Sequence, residues 1–304
     1  MCCNTCKFKP LAFRVTLLLV LEATTGHFTK NGIPSPRLQS ELLIAHALGL
    51  PRLQLYLQFE RELNAAELEK LRGLVRRRAS REPIQHIIGS TGFFGLSLLC
   101  SKAALVPRPE TETLVEHAIR ILQNQPPGLV IDVGTGTGAI PLALARRQPR
   151  HHYLGIDISH DALQLARENS AQPASAPPEG TKVDWEQNDL LDGHGRSALL
   201  LTANLPYLTP EEIASADPEV RHDPAVALDG GKDGLDLYRR LLPQALSVCP
   251  TLLMECNPHQ TGPLAALAQT SGYAHTLIHP DLNSLPRFVE ARRNADPCLA
   301  PRFA

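Results

Sequence analysis

The chain has 304 residues, of which 43% are hydrophobic and 20% are charged. This composition excludes an intrinsically disordered chain, and the length suits two domains with ordinary buried cores. The formal net charge is −1, which argues against a strong overall attraction to nucleic acid.

Neither the cysteines nor the N-terminal apolar segment indicates a disulfide framework, a metal site or a membrane span. The number of cysteines is seven, an odd number that predicts no disulfide framework. Cys2, Cys3 and Cys6 have no partnering cysteine or histidine pair nearby, so we expect no metal site there. Residues 15–21 have the outline of a signal peptide, but Glu22 interrupts them and the run is too short to cross a bilayer. We therefore expect a cytoplasmic protein that does not associate with membranes.

The first 80 or so residues predict a small helical domain. Residues 11–30 predict one helix, and Ser35 before Pro36 is typical of an N-cap followed by the first helical position. Asn64, followed three residues later by Glu67, predicts a capping box. That helix would end in the arginine run at residues 76–78, which together with Arg81 could contact phosphate. We interpret the run as a solvated helix end, because cations suit the last turn of a helix.

A hairpin-like stretch at residues 92–105 leads into the second half of the chain. From about residue 109, strands alternate with helices, which is typical of a doubly wound α/β sheet. The predicted strands are 128–133, 152–158, 181–187, 198–203 and 251–256, with 274–279 and 287–292 as a further pair. The predicted helices are 110–124, 137–148, 160–170, 235–248 and 260–271.

Residues 130–140 run from an apolar strand through a glycine-rich turn into a helix. Glycines permit a tight turn and let a ligand approach the backbone closely. Asp157 follows about 20 residues later, near the end of the next strand, which is the spacing used to bind both hydroxyls of a ribose. The pattern fits a dinucleotide or S-adenosylmethionine equally well. Asp132, inside the first strand, is expected either to brace the loop or to contact the cofactor.

The tetrapeptide Asn204-Leu205-Pro206-Tyr207 comes just after an apolar strand. Ligands of open α/β sheets bind beyond the carboxyl ends of the strands. Here the Asn204 side chain and a main-chain carbonyl near Pro206 could each accept one hydrogen of a planar NH2 group, while Tyr207 packs on its face. The tetrapeptide therefore predicts a site for an amide or an exocyclic amino group.

Together with further segments, these two motifs resemble bacterial peptide chain release factor glutamine methyltransferases of the HemK/PrmC type. The additional segments are residues 81–89, 93–96 and 106–112 in the linker, and 217–220, 223–224 and 227–235 downstream. Each motif is modest when taken alone, but the resemblance extends over about residues 15–293 and the combination is specific.

The resemblance implies a Rossmann-like class I methyltransferase sheet with a small all-helical domain before it. Residues 1–90 would form the helical domain that binds the release factor, 91–108 a β-hairpin linker, and 109–304 the methyltransferase domain. The implied reaction transfers a methyl group from S-adenosylmethionine to the side-chain nitrogen of the glutamine in a Gly-Gly-Gln loop. The implied partners are peptide chain release factors, with nucleic acid involved only indirectly, and we expect a monomer.

The resemblance also assigns roles to individual residues, without any metal ligand. The cofactor-binding residues would be Gly134, Thr135, Gly136, Thr137 and Gly138 at the methionine end, Asp157 at the ribose, Asp189 and Leu190 at the adenine, and Asn204. The glutamine amide would be bound by Asn204, Leu205, Pro206 and Tyr207. Of these, Asn204, Pro206 and Tyr207 would be catalytic.

Two departures from the family pattern leave alternatives open. Leu205 stands where the family usually has proline, and Asn-Leu-Pro-Tyr is similar to the motif of ribosomal RNA adenine dimethyltransferases. An adenine-N6 nucleic-acid methyltransferase, or a glutamine methyltransferase acting on a ribosomal protein, is therefore the alternative. The segment at residues 255–258 replaces the usual Glu-Ile-Gly, and we interpret that strand end as structural.

Smaller expectations concern four other side chains. Glu110 and Glu112 suit the first turn of a helix, and either could also contact the cofactor. Trp185 is expected to pack on the sheet rather than to stack on an adenine. Asp233 is expected to cap a helix that begins near Gly234.

Overall fold

The computed structural model describes residues 14–293, and the chain divides into two compact units, Met1–Ile88 and Gly89–Ala304. Cys2, Cys3 and Cys6 lie outside the described residues. The β-hairpin falls within the second unit. A division into three parts, with residues 91–108 as a separate linker, stays a prediction.

The first unit is helical. Its α-helices are α1 (Leu17–Lys30), α2 (Pro36–Leu48), α3 (Ala65–Ala79) and α4 (Ile84–Ile88), with a 3₁₀ helix at Arg52–Leu57. The predicted capping box is confirmed, because Asn64 Oδ1 accepts the Glu67 N–H and Glu67 Oε2 accepts the Asn64 N–H, both at 2.9 Å. The capping box fixes the start of α3, whose Leu71 packs in the buried core of this unit.

Three local expectations in this unit need correction. Helix α1 does not extend back through residues 14–16, because Thr16 forms an isolated bridge with Glu62 and its hydroxyl caps the helix. Ser35 occupies the N-cap position in the left-handed region, with φ of 46°, and its side chain makes no capping bond. The arginine run is only partly solvated, since Arg78 is buried and donates to Gln39.

The second unit alternates strands and helices after an initial hairpin. The strands are β1 (Ser90–Phe93), β2 (Leu96–Leu99), β3 (Leu129–Val133), β4 (His152–Asp157), β5 (Val183–Gln187), β6 (Leu200–Ala203), β7 (Thr251–Glu255), β8 (His275–Pro280) and β9 (Pro286–Arg292). The α-helices are α5 (Pro109–Leu122), α6 (Ala139–Arg147), α7 (His160–Ala171), α8 (Pro210–Ser215), α9 (Asp236–Val248) and α10 (Thr261–Thr270). Short 3₁₀ helices lie at Val220–His222, Ala225–Ala227 and Pro258–Gln260.

The predicted strands and main helices of this unit are confirmed to within two residues at each end. The hairpin turns through Phe94 and Gly95, whose φ angles of 48° and 77° suit a two-residue primed turn. Glu112 in the first turn of α5 accepts the Phe94 N–H at 2.9 Å. The carboxylate of Glu112 thus anchors the hairpin to α5.

The large sheet has seven strands in the order β5-β4-β3-β6-β7-β9-β8. Strands β3 to β7 pair in parallel, whereas β9 pairs antiparallel with both β7 and β8. The chain proceeds outward from β3 through β4 to β5 and then returns to place β6 on the other side of β3. This reversal creates a topological switch point between β3 and β6, where open sheets of this kind bind ligands.

Hydrophobic cores cover both faces of the sheet. On one face Ile131 and Val133 of β3 pack in the same cluster as residues of α9 and α10. On the other face Val130 packs with α5, α6 and the hairpin. The alternation along β3 follows from the two-residue period of a strand. Because both faces are covered, ligands reach the sheet only at its ends.

Candidate functional site

A cavity opens at the carboxyl ends of the strands, beside the switch point. Its empty volume is about 1130 Å³, which includes its open mouth. Residues of the glycine-rich loop, of the turn after β4 and of the tetrapeptide after β6 line it together. The lining from these three segments is Gly134, Thr135, Gly136, Thr137, Asp157, Ile158, Ser159, Asn204, Leu205 and Pro206. The fold thus brings the two sequence motifs to one cavity.

The glycine-rich loop turns back against β4. The N–H groups of Gly134 and Thr135 both donate to the carbonyl of Ile156, at 2.8 and 3.0 Å. Gly134 has a φ of 72°, and a Cβ on it would lie 2.8 Å from Leu205 Cδ2. Gly138 does not line the cavity, since it forms the N-cap of α6 and lies against Trp185.

Asp157 links the glycine loop to the turn after β4. Its Oδ2 accepts the Gly136 N–H at 2.8 Å, and its Oδ1 accepts the Ser159 N–H at 2.9 Å. Burial raises the pKa of this carboxyl group, and the backbone hydrogen bonds oppose that change. The carboxylate is therefore fixed in place on the cavity wall by two main-chain donors.

Asp189 and Leu190 also line the cavity, and their role at an adenine stays a prediction. Leu190 has a φ of 56°, and the Asp189 carboxylate accepts from Arg240 at 2.6 Å. Arg240 on α9 lines the cavity too, and no motif pointed to it. The guanidinium group belongs to this site because the first turns of α9, which covers one face of the sheet, reach the cavity with Leu237 and Arg240.

Asn204 is held by a residue that the sequence analysis did not single out. Its Nδ2 donates to the hydroxyl of Thr111 on the first turn of α5, at 3.0 Å. Among residues 14–293, the Asn204 Oδ1 atom accepts no hydrogen bond. Both Asn204 and Thr111 line the cavity, so the carboxamide is oriented with its NH2 group engaged and its oxygen available.

Leu205 packs behind the glycine loop. It is 3% exposed, belongs to the core cluster on the α9 face, and its side chain lies over Gly134. Its N–H donates to the Tyr238 hydroxyl at 3.4 Å. A proline at this position would have no N–H to donate.

Tyr207 does not line the cavity, but its main chain is firmly held. Its carbonyl accepts from Gln260 Nε2 at 2.8 Å, and burial raises the pKa of its phenol. The following Leu208 pairs with the segment 228–230: its N–H donates to Leu228 and its carbonyl accepts from Gly230. The tetrapeptide is thus supported from outside by the downstream motif.

Gly230 permits this close packing. A Cβ on Gly230 would lie 2.6 Å from Tyr207 Cα, 2.7 Å from the Pro206 carbonyl oxygen and 2.9 Å from Gly234 Cα. All three are main-chain atoms, which cannot move aside as a flexible side chain can. The glycine is therefore required by the path of the tetrapeptide.

Other expectations have mixed outcomes. Trp185 packs on the sheet as predicted, against Gly155 of the neighbouring strand. Asp132 braces the motifs by accepting from the Thr202 hydroxyl at 2.7 Å, and burial raises its pKa to about 7. Asp233 is not the N-cap of α9, which is Leu235, although it accepts the Leu235 N–H.

The Tyr238 hydroxyl connects the ends of two strands. It donates to the carbonyl of Glu255 at 2.5 Å, and it lies 3.2 Å from the carbonyl of Ala203.

Tyr238→Phe should lower the free energy of unfolding by about 1–3 kcal/mol, because buried partners are left unsatisfied. Urea unfolding measures this change. Tyr273→Phe is the control, since Tyr273 is also buried but within residues 14–293 its hydroxyl makes a single hydrogen bond, of 3.4 Å. Equal losses in the two variants would contradict the role of Tyr238.

Two further findings concern residues 14–293. None of their helices is long and apolar enough to span a membrane. No group of three or more histidine, cysteine, aspartate or glutamate side chains among them is arranged to hold a metal ion.

Comparisons with known proteins agree with this architecture. Residues 20–89 match the family model described as the PrmC N-terminal domain, and residues 127–188 match the model of a methyltransferase domain. The solved structure of the hMettl16 catalytic domain in complex with the MAT2A 3′UTR hairpin 6 superposes with a TM-score of 0.55 at 14% identity. It covers 67% of this chain and 77% of its own, and this likeness shows the fold alone.

Curated relatives are more similar in sequence. The release factor glutamine methyltransferase of Deinococcus radiodurans is 39% identical over 277 residues, which are 90% of this chain and 97% of that protein. The release factor glutamine methyltransferase of Geobacter sulfurreducens is 35% identical over 282 residues, which are 91% of this chain and 96% of that protein. With these identities over almost the full length, and with the predicted Rossmann-like class I methyltransferase sheet confirmed, the chain belongs to the release factor glutamine methyltransferase family.

Proposed function

We propose that this protein transfers a methyl group from S-adenosylmethionine to the side-chain amide nitrogen of the glutamine in the Gly-Gly-Gln loop of peptide chain release factors. The observation that carries the proposal is the Asn204 carboxamide. Its NH2 group is bound to Thr111 and its oxygen is available beside the glycine loop, which is the arrangement needed to accept a hydrogen from a substrate NH2 group.

The cavity residues fit S-adenosylmethionine. Gly134 and Gly136 both have positive φ and leave the loop without side chains at these two points of the wall. Asp157 offers a fixed carboxylate of the kind that binds ribose hydroxyls, and Asp189 and Leu190 form the wall beyond it. The bound cofactor would supply an electrophilic methyl group on a positively charged sulfur. Thr135 and Thr137 complete the loop that would surround its methionine end.

The residues after β6 would bind the substrate amide and orient its nitrogen toward the methyl group. An amide nitrogen is a poor nucleophile because its lone pair is delocalised into the carbonyl group. Asn204 Oδ1 would accept one amide hydrogen and a main-chain carbonyl near Pro206 the other, which fixes the plane of the amide. Correct positioning of this kind can lower a barrier by up to about 7–11 kcal/mol. The same electron-rich oxygens would stabilise positive charge that develops on the nitrogen. The proton can then leave after methyl transfer, so no strong base is required.

The helical unit is proposed to bind the release factor. Support comes from the match of residues 20–89 to the PrmC N-terminal domain. A cytoplasmic location and a monomeric state stay predictions.

One assay tests the proposed function. The protein is incubated with methyl-labelled S-adenosylmethionine and, separately, with a release factor, with ribosomal proteins and with RNA. We expect label only on the release factor, at the glutamine of its Gly-Gly-Gln loop, with no label when that glutamine is replaced by alanine. Label on an adenine of the RNA would instead support the adenine-N6 methyltransferase alternative suggested by Leu205. Label on a ribosomal protein would support the alternative of a glutamine methyltransferase that acts on ribosomal proteins.

A further inference from the structure

The turn after β5 contributes two residues to the cavity wall, Asp189 and Leu190. Leu190 has a φ of 56°, in the left-handed region that a leucine rarely adopts. A main chain in this region is strained, and the strain persists only where the surrounding structure enforces it. The turn therefore needs contacts that hold it on both sides of Leu190.

Helix α9 makes one such contact on each side. Arg240 donates to Asp189 Oδ2 at 2.6 Å, and Gln244 Oε1 accepts the Leu191 N–H at 2.9 Å. Arg240 and Gln244 are four residues apart, so their side chains lie on the same face of the helix. Leu191 is buried, and its N–H would lose its partner without Gln244. Two successive turns of α9 thus hold the residues that flank Leu190.

The Asp189 carboxylate keeps one oxygen for a ligand. Arg240 occupies Oδ2, and within residues 14–293 no other hydrogen bond reaches this carboxylate. A carboxylate accepts hydrogen bonds at both oxygens and donates none. Oδ1 can therefore accept from an amino group in the cavity, whereas it would repel a carbonyl oxygen at the same point.

We propose that Arg240 and Gln244 are positioning residues that hold Asp189 and Leu190 at the adenine of the cofactor, so that Asp189 accepts from the adenine amino group. The proposal rests on the proposed function, in which these two cavity residues lie beyond the ribose site. Arg240 acts through the Asp189 carboxylate. Gln244 does not line the cavity, so it acts through the main chain of the turn.

The first test measures the affinity of the full-length protein for S-adenosylhomocysteine by calorimetry. In Arg240→Met the affinity should fall about five- to tenfold, between the effects of an exposed ion pair and of a hydrogen bond to a charged group. Arg240→Lys still carries a charged donor, so its affinity should stay within about twofold of the wild-type value. Wild-type affinity in Arg240→Met would overturn the proposal.

Arg239→Met is the matched control for these variants. Arg239 is the neighbouring exposed arginine, it pairs with Asp233 and Asp236, and it does not line the cavity. Its replacement should leave the affinity for S-adenosylhomocysteine unchanged. An equal loss in Arg239→Met and Arg240→Met would show a general effect of charge on α9 and would also overturn the proposal.

The second test replaces the adenine amino group with an oxygen. S-inosylhomocysteine presents an acceptor where S-adenosylhomocysteine presents a donor, and the wild-type protein should bind it at least about tenfold more weakly. In Arg240→Met this preference should fall by at least about threefold, because Asp189 is no longer held in place. A general folding defect would weaken both ligands by the same factor. An unchanged preference in Arg240→Met would therefore overturn the proposal.

The third test concerns Gln244. Gln244→Met removes the acceptor of the Leu191 N–H, and the affinity for S-adenosylhomocysteine should fall about tenfold. Gln269→Met is the control, because Gln269 is a helix glutamine that bonds a neighbouring strand residue, Thr276 at 2.9 Å, away from the cavity. Wild-type affinity in Gln244→Met would overturn the role of Gln244. If Gln244→Met does not fold, the Arg240 variants decide the proposal.

These measurements need no release factor, so they separate this inference from the proposed function. If the affinities follow the expected pattern but no release factor is methylated, only the proposed function fails. If the wild-type protein methylates the release factor and Arg240→Met keeps both affinity and preference, only this inference fails. If the wild-type protein does not bind S-adenosylhomocysteine, both fail.

Discussion

Replacing Asn204 with alanine is expected to lower kcat for release factor methylation by about 100- to 1000-fold, the range seen when one group that stabilises a transition state is removed. The substrate amide would lose the acceptor that fixes one of its hydrogens, and its nitrogen would no longer be held toward the methyl donor. Cofactor affinity should change less than about twofold, because the glycine loop and Asp157 remain intact. Single-turnover kinetics and calorimetry measure the two quantities separately.

Asn283→Ala is the control for this experiment. Asn283 is an exposed asparagine in the turn between β8 and β9, and it does not line the cavity. Its replacement should leave both kcat and cofactor affinity unchanged. If Asn204→Ala weakened cofactor binding as much as it lowered turnover, Asn204 would belong to the cofactor site rather than to the amide site.

Gly230→Ala is expected to lower kcat by about 100-fold, because displacing a reacting group by about 1 Å has an effect of that order. The new Cβ would collide with main-chain atoms of Pro206, Tyr207 and Gly234, and the tetrapeptide would have to move. The free energy of unfolding should also fall by about 1–3 kcal/mol, as for other overpacked sites. Activity assays and urea unfolding report the two effects.

Gly195→Ala is the matched control for the glycine substitution. Gly195 also lies outside the regular elements, but a Cβ on it would have no heavy atom within 4 Å. We expect wild-type kcat and stability in this variant. Wild-type kcat in Gly230→Ala would show that the tetrapeptide does not need its present path.

Much of the fold follows from local patterns in the sequence. The capping box of Asn64 and Glu67, and the strand–glycine–helix pattern around Gly134, are made of neighbouring residues whose preferences agree with the final structure. The prediction for the start of α1 was wrong because Thr16 forms a bridge with Glu62, a contact that helical periodicity does not reveal. Local signals therefore predict elements well, except where a distant segment competes for the same backbone.

The candidate site was predictable only in part, for the same reason. Asn204 and Asp157 belong to recognisable motifs and were predicted, although their roles stay proposals. Thr111 and Gln260 contact the tetrapeptide from 93 and 53 residues away in sequence, so no spacing rule could find them.

Leu205 has a consequence for how substrates are inferred from such motifs. Its side chain lies against Gly134, and its N–H makes a long contact of 3.4 Å to the buried hydroxyl of Tyr238. The identity of residue 205 is thus constrained by how tightly two neighbouring loops interlock, as well as by its place on the cavity wall. Sorting protein-modifying enzymes from RNA-modifying ones by that single letter would therefore read interior fit together with any effect on the substrate.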